Sequence, residues 1–486
     1  MPALTKEARA DLLASLKLNA GVADASPEPA LEIYPVAEHI RALEPAVVLI
    51  VGDRGSGKTQ LKDALTNETL RSALLRHATT VRSHSGNATW TTGWPLAASG
   101  PDPLTWRSLA QHHRGSREDL VIVWLAYFLR TLAPHLDKSP ALEQLTQVSA
   151  TDAERCLEVA RLHNPTFIAA VDQLDARLRA ADRWVVVAYD ELDTLVVDDW
   201  GALGTIVRGL VSLWATYARR WQRIRPKLFL RTDFYQHHRE IAGADVAKLA
   251  ANRVELEWSD RNLYGALIKH IVNKKPALKA HFGAAVELRS DAQLGWIPQL
   301  TQADDARGFV LRLVGQYMGK NPGKGVAFKW ILDHLRDGNK RVLPRALIWL
   351  IEYAAERELR DPRAQGARLL HHVSLRNALD RVSEQYVQNA ETHEFRWIPG
   401  LKQRLQRDRE VPWKRTEIEK LLARDFEADW SNAGAGVRPP GTTPDEVLEN
   451  LVTLGIIRAR SDSSFDVPDL YLSGFNLVRR GGVLRR

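Results

Sequence analysis

The pattern of apolar and polar positions divides this chain into two regimes. In the first, short apolar runs alternate with stretches of helical periodicity; in the second, helical periodicity dominates. The apolar runs are Ala46-Val47-Val48-Leu49-Ile50-Val51, Trp184-Val185-Val186-Val187-Ala188-Tyr189 and a third, Lys227-Leu228-Phe229-Leu230-Arg231-Thr232-Asp233, with a polar end. Continuous rather than alternating hydrophobicity is the mark of parallel strands buried on both faces. A further strand is expected at 253–258. Helical periodicity is read at 6–18, 36–43, 120–132, 141–163, 167–180, 203–221, 260–272, 305–318, 328–335, 344–357 and 375–388. Pro226 stands before the third run, where it blocks a helix. Residues 79–118, rich in Ser, Thr, Gly, Pro and His, predict a long irregular insertion with a strand through 79–83. Near the end, helices are expected at 416–426 and 444–454, with a Gly/Pro-rich loop between them. The second helix opens on the capping box Thr443-Pro444-Asp445-Glu446, and a hairpin follows at 456–460 and 464–467.

The first apolar run leads into Gly52-Asp53-Arg54-Gly55-Ser56-Gly57-Lys58-Thr59-Gln60. Strand, G-x-x-x-x-G-K-[ST] turn and helix together form the phosphate-binding P-loop signature. Successive backbone N–H groups in such a turn make a concave anion site, and the helix N-terminus adds its dipole. Glycine is needed where the backbone approaches phosphate oxygens or takes positive φ. Lys58 can reach the β- and γ-phosphates, and the Thr59 hydroxyl can ligate Mg²⁺.

The second run ends in Asp190-Glu191-Leu192-Asp193. An acidic pair there puts carboxylates where ligands bind in open α/β sheets. Asp190 is the candidate for the Mg²⁺ shell. Glu191 is the candidate to orient or deprotonate the attacking water. The third run ends in Thr232-Asp233, where a polar side chain can sense a γ-phosphate. The alternative is a strand that merely turns at a polar pair. Arg345 follows Pro344 at a predicted helix start, where a cation gains nothing from the dipole. A reach back to a phosphate would explain it, and a solvated arginine is the alternative.

Composition adds bounds. The chain has 486 residues, 45% hydrophobic and 26% charged, the balance of a globular protein of two to four domains. No run of about 18 apolar residues exists, so no membrane span is expected. The N-terminus lacks a secretory pattern, which predicts a cytoplasmic protein. The single Cys156 allows no intrachain disulfide and no cysteine cluster, and His84, His112 and His113 are read as surface residues. A net charge of +8 and a pI of about 9.4 permit contact with nucleic acid. Of the fifteen tryptophans, several sit inside apolar runs, as Trp124 and Trp349 do, and are read as core residues.

In order, Gly52–Thr59, Asp190-Glu191 and Thr232-Asp233, then Leu343-Pro344-Arg345 and a terminal helix–helix–hairpin, resemble the AAA+ and STAND ATPases. The likeness is strongest to the origin-recognition-like branch with a C-terminal winged helix. The stretches 227–233 and Asp466-Val467-Pro468-Asp469-Leu470-Tyr471 also resemble a group of prokaryotic P-loop ATPases. The resemblance implies an α/β fold: a P-loop NTPase parallel sheet of the additional-strand type, a helical lid and a winged-helix domain. The expected bounds are a lead-in at 1–45, which would pack on the nucleotide domain, an ATPase core at 46–258, a lid at 259–399 and the winged helix at 400–486.

It further implies ATP and Mg²⁺ as cofactors, sensor 1 at Thr232 or Asp233, and sensor 2 at Arg345. The family's trans-acting arginine finger has only Lys248 and Arg253 as candidates here. The cluster Arg219, Arg220, Arg223 and Arg225 is another candidate intersubunit surface. The implied function is an ATP-hydrolysing switch coupled to a partner protein or DNA, with antiphage defence as one setting. The partners would be further copies of the chain or an effector protein, with nucleic acid a further option. A DNA-binding initiator or loader, and a nucleotide-binding scaffold with little turnover, are the alternatives.

Overall fold

A computed structural model describes residues 3–16, 29–78, 81, 87–96, 100–196, 199–239, 249, 251–393, 395–428, 430, 437 and 439–480. The chain divides into two compact units. One comprises Pro35–Leu256, the other Met1–Tyr34 with Glu257–Arg486.

The first unit is built on a five-stranded sheet of β1 (Leu49–Gly52), β2 (Ala88–Trp94), β3 (Trp184–Tyr189), β4 (Ile224–Arg231) and β5 (Val254–Glu255). The spatial order is β2-β3-β4-β1-β5, and every neighbouring pair is parallel. β4 is therefore inserted between the strand that enters the P-loop and the strand that ends in Asp190. That is the topology of an additional-strand P-loop fold, as expected. β1, β3 and most of β4 are buried, matching their continuous apolar runs.

Two expectations fail here. Residues 79–118 are not one irregular insertion: they supply β2 at the sheet edge and the helix Pro103–His112, capped by Asp102. The weak alternation of Ala88-Thr89-Trp90-Thr91-Thr92-Gly93-Trp94 hid a half-exposed edge strand. Most of the strand read at 79–83 lies outside the described residues. Pro226 does not precede a strand but lies within β4, level with Val187 of β3. A central proline costs a ladder N–H. Here alternate amides of β4 point toward β1, as Leu228 N–H does to Val48 O at 2.8 Å. Pro226 falls before β1 pairing begins at Leu49–Leu228, so the missing donor removes no bond to β1.

Helices flank this sheet. Arg117–Leu132 is buried over most of its length beyond the first turn and packs on Trp200–Tyr217. The stretch 141–163 is two helices, Pro140–Gln147 and Ala153–Leu162, each with its own side-chain cap, Ser139 and Asp152. Trp106, Trp124, Tyr127, Tyr189, Trp214 and Trp221 are fully buried in one aromatic core, as read for the tryptophans.

The second unit is mainly helical. Ser259 caps Asp260–Val272 as expected, its Oγ accepting from Asn262 N at 3.2 Å. Pro344 opens Pro344–Arg360, which packs on His372–His393 and on the N-terminal helix Lys6–Ala14. The N-terminal lead-in is thus shared out: Lys6–Ala14 belongs with the C-terminal half, and the short helix Ala37–Ile40 with the sheet. An antiparallel hairpin, Leu288–Asp291 with Gly295–Pro298, interrupts the helical regime; it was not expected.

The last part of this unit runs strand Trp413–Lys414, helix Arg415–Ala423, helix Pro444–Thr453 and the hairpin Arg458–Ala459/Ser464–Asp466. The second hairpin strand pairs with Trp413–Lys414. The capping box at Thr443 is displaced by one residue. Thr443 Oγ1 accepts from Glu446 N at 3.2 Å, but the Glu446 carboxylate accepts from Thr442 N at 2.6 Å. The Arg479 guanidinium grips Asp466 at 2.7 and 2.8 Å and Asp469 at 2.9 Å. Arg485 and Arg486 lie outside the described residues.

Candidate nucleotide site

The site grows out of the end of β1. Gly52 closes the strand, Gly55 and Gly57 take positive φ (85° and 95°), and Gly57 caps the helix Lys58–Thr66 in left-handed conformation. The first turn of a helix has amides without intrahelical partners, and no side chain caps them here. They are available to an anion. A Cβ on Gly52 would stand 2.4 Å from Ser56 Oγ and 3.0 Å from Leu256 Cβ, so only glycine fits the bend.

Lys58 Nζ donates to Gly52 O at 2.7 Å and to Asp53 O at 2.9 Å. Burial lowers its pKa from the usual lysine value, against the pull of Asp193, Asp190 and Asp233. The amine is thus folded across the loop, in the field of all three carboxylates. Asp53, Arg54, Gly55, Ser56, Gly57, Thr59 and Gln60 complete the turn and the first residues of the helix.

Asp190 lies at the end of β3, 2% exposed, its N–H bonded to Trp94 O at 3.0 Å. Burial raises its pKa, opposed by the Glu191 amide, the Thr59 hydroxyl and the charges of Lys62 and Lys58. The Thr59 hydroxyl therefore lies near the Asp190 carboxylate. Asp190 Oδ2 is buried without a hydrogen-bond partner. A hard hydroxyl and a hard carboxylate, one carboxylate oxygen unspent, fit the donor set of Mg²⁺, which takes few protein ligands plus phosphate and water.

Glu191 follows, exposed, with φ 53°. A left-handed non-glycine residue costs on the order of 1 kcal/mol and persists only when its surroundings impose it. Here Thr194 imposes it, donating from N at 3.0 Å and from Oγ1 at 2.7 Å to Glu191 O. Lys62, paired with Asp63 at 2.8 Å, lies in the field of Asp190 and Glu191. Burial opposes its protonation, but these acids raise its pKa.

Thr232 and Asp233 do not end a strand in a loop. They begin the helix Thr232–Arg239. The residue that sequence reading passed over is Arg231, level with Gly52 and with a side chain 6% exposed. Its signal was available: an arginine inside a buried apolar strand needs a carboxylate partner. Nε and Nη2 donate to Asp233 at 3.0 and 2.6 Å, and Nη1 to Asp193 at 3.4 Å.

Arg345 is the second residue of Pro344–Arg360, in the other unit. Arg253 pairs with Glu255 at 2.6 Å and lies 5.8 Å from the Tyr235 ring centroid. Lys248 lies outside the described residues. Three arginines of the 219–225 cluster are engaged within the unit: Arg220 with Asp172 at 2.6 Å, Arg223 with Asp182 at 2.8 Å, and Arg225 with Ala218 O at 2.6 Å. Among the described residues no group of three or more His, Cys, Asp or Glu side chains forms a metal site. No single described helix is long and apolar enough to cross a membrane.

No protein-family model matches the chain, and no curated protein matches it. Solved structures do. The chain is similar to Cdc6p from Pyrobaculum aerophilum, at 12% identity over 98% of this chain and 97% of that one, with a TM-score of 0.29. It is similar to the Aeropyrum pernix ORC2 protein in ADPNP–ADP complexes, at 13% identity over 94% and 98%, TM-score 0.29. It is also similar to the ADP form of that protein, at 14% over 93% of each chain, TM-score 0.30. At these identities and scores the reading of the site rests on its own geometry.

Proposed function

We propose that this protein is an ATP-binding and ATP-hydrolysing molecular switch that couples nucleotide state to engagement of a partner protein or DNA. One observation carries the reading. A buried carboxylate with an unspent oxygen, Asp190, lies near the P-loop hydroxyl of Thr59 and the amine of Lys58, and Glu191 is the next residue.

The P-loop amides and Lys58 bind the phosphates and hold them in line for attack. Thr59 and Asp190 would hold Mg²⁺, which supplies charge neutralisation to the phosphate oxygens when bound. Glu191, exposed just beyond the C-terminal end of β3, accepts the proton of the attacking water. Thr232 and Asp233 are the candidates to register the γ-phosphate, and Arg345 to bring the helical lid to it. The choice of adenine, like the setting in antiphage defence, rests on the family resemblance alone.

The test is turnover and binding in paired variants. Glu191→Gln should retain ATP and lose hydrolysis, and Lys58→Ala should lose binding. Wild-type turnover in Glu191→Gln would sink the base assignment and favour the scaffold alternative.

A second reading, a DNA-binding initiator, is supported by the terminal helix–helix–hairpin and the basic balance. We propose the winged-helix assignment for that segment on its strand pairing and order. Its second helix, Pro444–Thr453, carries Asp445, Glu446 and Glu449 and no Lys or Arg, and Arg415 is spent on Asp445 and Glu419. That face repels phosphates, which weights the switch toward a protein partner. Steep salt dependence of DNA binding would reverse this weighting.

A further inference from the structure

Arg231 is a buried charge for which the phosphate-binding reading has no use. Burying a guanidinium is costly unless its donors are paired. Here they are paired in a directed way. Nε and Nη2 meet both oxygens of Asp233, the planar two-point contact that arginine makes best. Asp233 is itself fixed by the Phe234 N–H at 2.8 Å. The remaining nitrogen, Nη1, reaches across the gap between β4 and β3 to Asp193.

Asp193 belongs to the single 3₁₀ turn Leu192–Thr194, which begins immediately after Glu191. Leu192 and Leu195 anchor the inner side of that turn in the core. Thr194 closes it on Glu191 O. Asp193 gives it a tether on the outer side. Glu191, at φ 53°, sits at the head of this turn in a conformation that its surroundings must impose.

We propose that Arg231 is a positioning residue for Glu191: gripped by Asp233, it holds Asp193 and thereby fixes the turn that presents the Glu191 carboxylate at the C-terminal end of β3. The inference rests on the proposed role of Glu191 as base. It gives Asp233 a role through Arg231 and so favours Thr232 of the two candidates for registering the γ-phosphate. It also explains why an arginine stands in the strand: a lysine is a point donor and cannot make the two-point contact and the cross-strand bond together.

The test uses the full chain with Arg231→Ala, Arg231→Lys and Asp193→Asn. Amide hydrogen exchange over 191–196 is measured without nucleotide, and kcat, KM and the ATP dissociation constant are measured alongside. Exchange in the turn should rise about tenfold or more in Arg231→Ala and in Asp193→Asn. In the same variants kcat should fall roughly ten- to a hundredfold, with ATP affinity within about twofold of wild type. Arg231→Lys should recover little of either. In a Glu191→Gln background, Arg231→Ala should add no further loss of turnover.

Unchanged exchange in both the Arg231→Ala and Asp193→Asn variants overturns the proposal. So does loss of ATP affinity in Arg231→Ala with normal kcat in Asp193→Asn, since the guanidinium would then act on nucleotide directly. If Glu191→Gln turns over normally, the base reading fails, while the exchange result still decides the Arg231–Asp193 tether. If Arg231→Ala does not fold, Asp193→Asn, which alters an exposed residue, carries the same prediction.

Discussion

Lys58 folds back on the carbonyl of Gly52, its Nζ 2.7 Å from that oxygen and 2.9 Å from the carbonyl of Asp53. The loop's cation is thus stored by the loop's own backbone, in a site whose burial already disfavours its charge. A phosphate oxygen can take over these bonds with acceptor as well as donor charged, which makes them stronger than bonds to a neutral carbonyl. Lys58→Ala is therefore expected to weaken nucleotide binding by roughly a hundredfold, read by calorimetric titration. The fold should survive, with the circular dichroism spectrum of wild type.

Gly52 and Ser56 make a second, steric prediction. An alanine Cβ at 52 meets Ser56 Oγ at 2.4 Å and Leu256 Cβ at 3.0 Å. Overpacking of this kind costs about 1–3 kcal/mol. Gly52→Ala should lower the denaturation midpoint and distort the P-loop. Adding Ser56→Ala removes the worst contact and should restore part of the stability. Purely additive losses in the double variant would show that the clash is not the cause.

Two buried lysines give the stability a pH dependence above neutrality. Lys227 Nζ donates to Glu44 O at 2.7 Å and Val47 O at 2.6 Å; Lys269 Nζ donates to Ala30 O at 3.1 Å and Leu31 O at 2.6 Å. Two carbonyls per amine suit a neutral amine with two N–H donors. Burial lowers both pKa values to about 7. The unfolded chain, with a lysine pKa near 10.4, then binds more protons than the folded one between pH 7 and 10. Stability therefore rises with pH across that window, by ~2 kcal/mol between pH 7 and 9 for each lysine. Denaturant unfolding at a series of pH values reads it. Lys227→Met should flatten the rise for the sheet-containing unit, and Lys269→Met for the other.

How much of this was legible in the sequence follows from where burial is two-sided. β1 and β3 announce themselves because both faces are covered, and the P-loop because its glycines answer to backbone geometry rather than to packing. β2 was missed for the opposite reason: an edge strand shows one covered flank and reads as polar loop. Pro226 misled because its meaning depends on which side of the strand lacks a partner, a tertiary fact. Of the site, Lys58, Thr59 and Asp190 were read from their residues and fall together. Arg231 was passed over because Asp233, two residues on, was read as a phosphate sensor, and Asp193 becomes a partner only once β3 and β4 lie side by side.

His113 supplies the last prediction, from a region read as unremarkable surface. Its Nδ1 lies 2.8 Å from Asp119 Oδ2 and its Nε2 3.0 Å from Glu154 Oε2; Arg161 also pairs with Asp119, and His112 stands 3.7 Å from Glu154. Only an imidazolium can donate to both carboxylates at once. Partial burial works against the charge, but the bonds to Glu154 and Asp119 outweigh it and raise the pKa. Asp119 moves the other way: burial opposes ionisation, and the bonds from His113, Arg161 and Ser116 lower its pKa. The histidine's contribution is complete below the unfolded value near 6.5 and is lost as pH rises through its folded value. The aspartate's is complete above its unfolded value near 3.9 and is lost as pH falls. The cluster is therefore strongest between these limits, at mildly acidic pH, and its solvent exposure keeps it to about 1 kcal/mol or less. NMR titration should place His113 above 6.5 in the wild type and lower in Asp119→Asn. An unshifted His113 in both would mean that the two carboxylates do not hold it in solution.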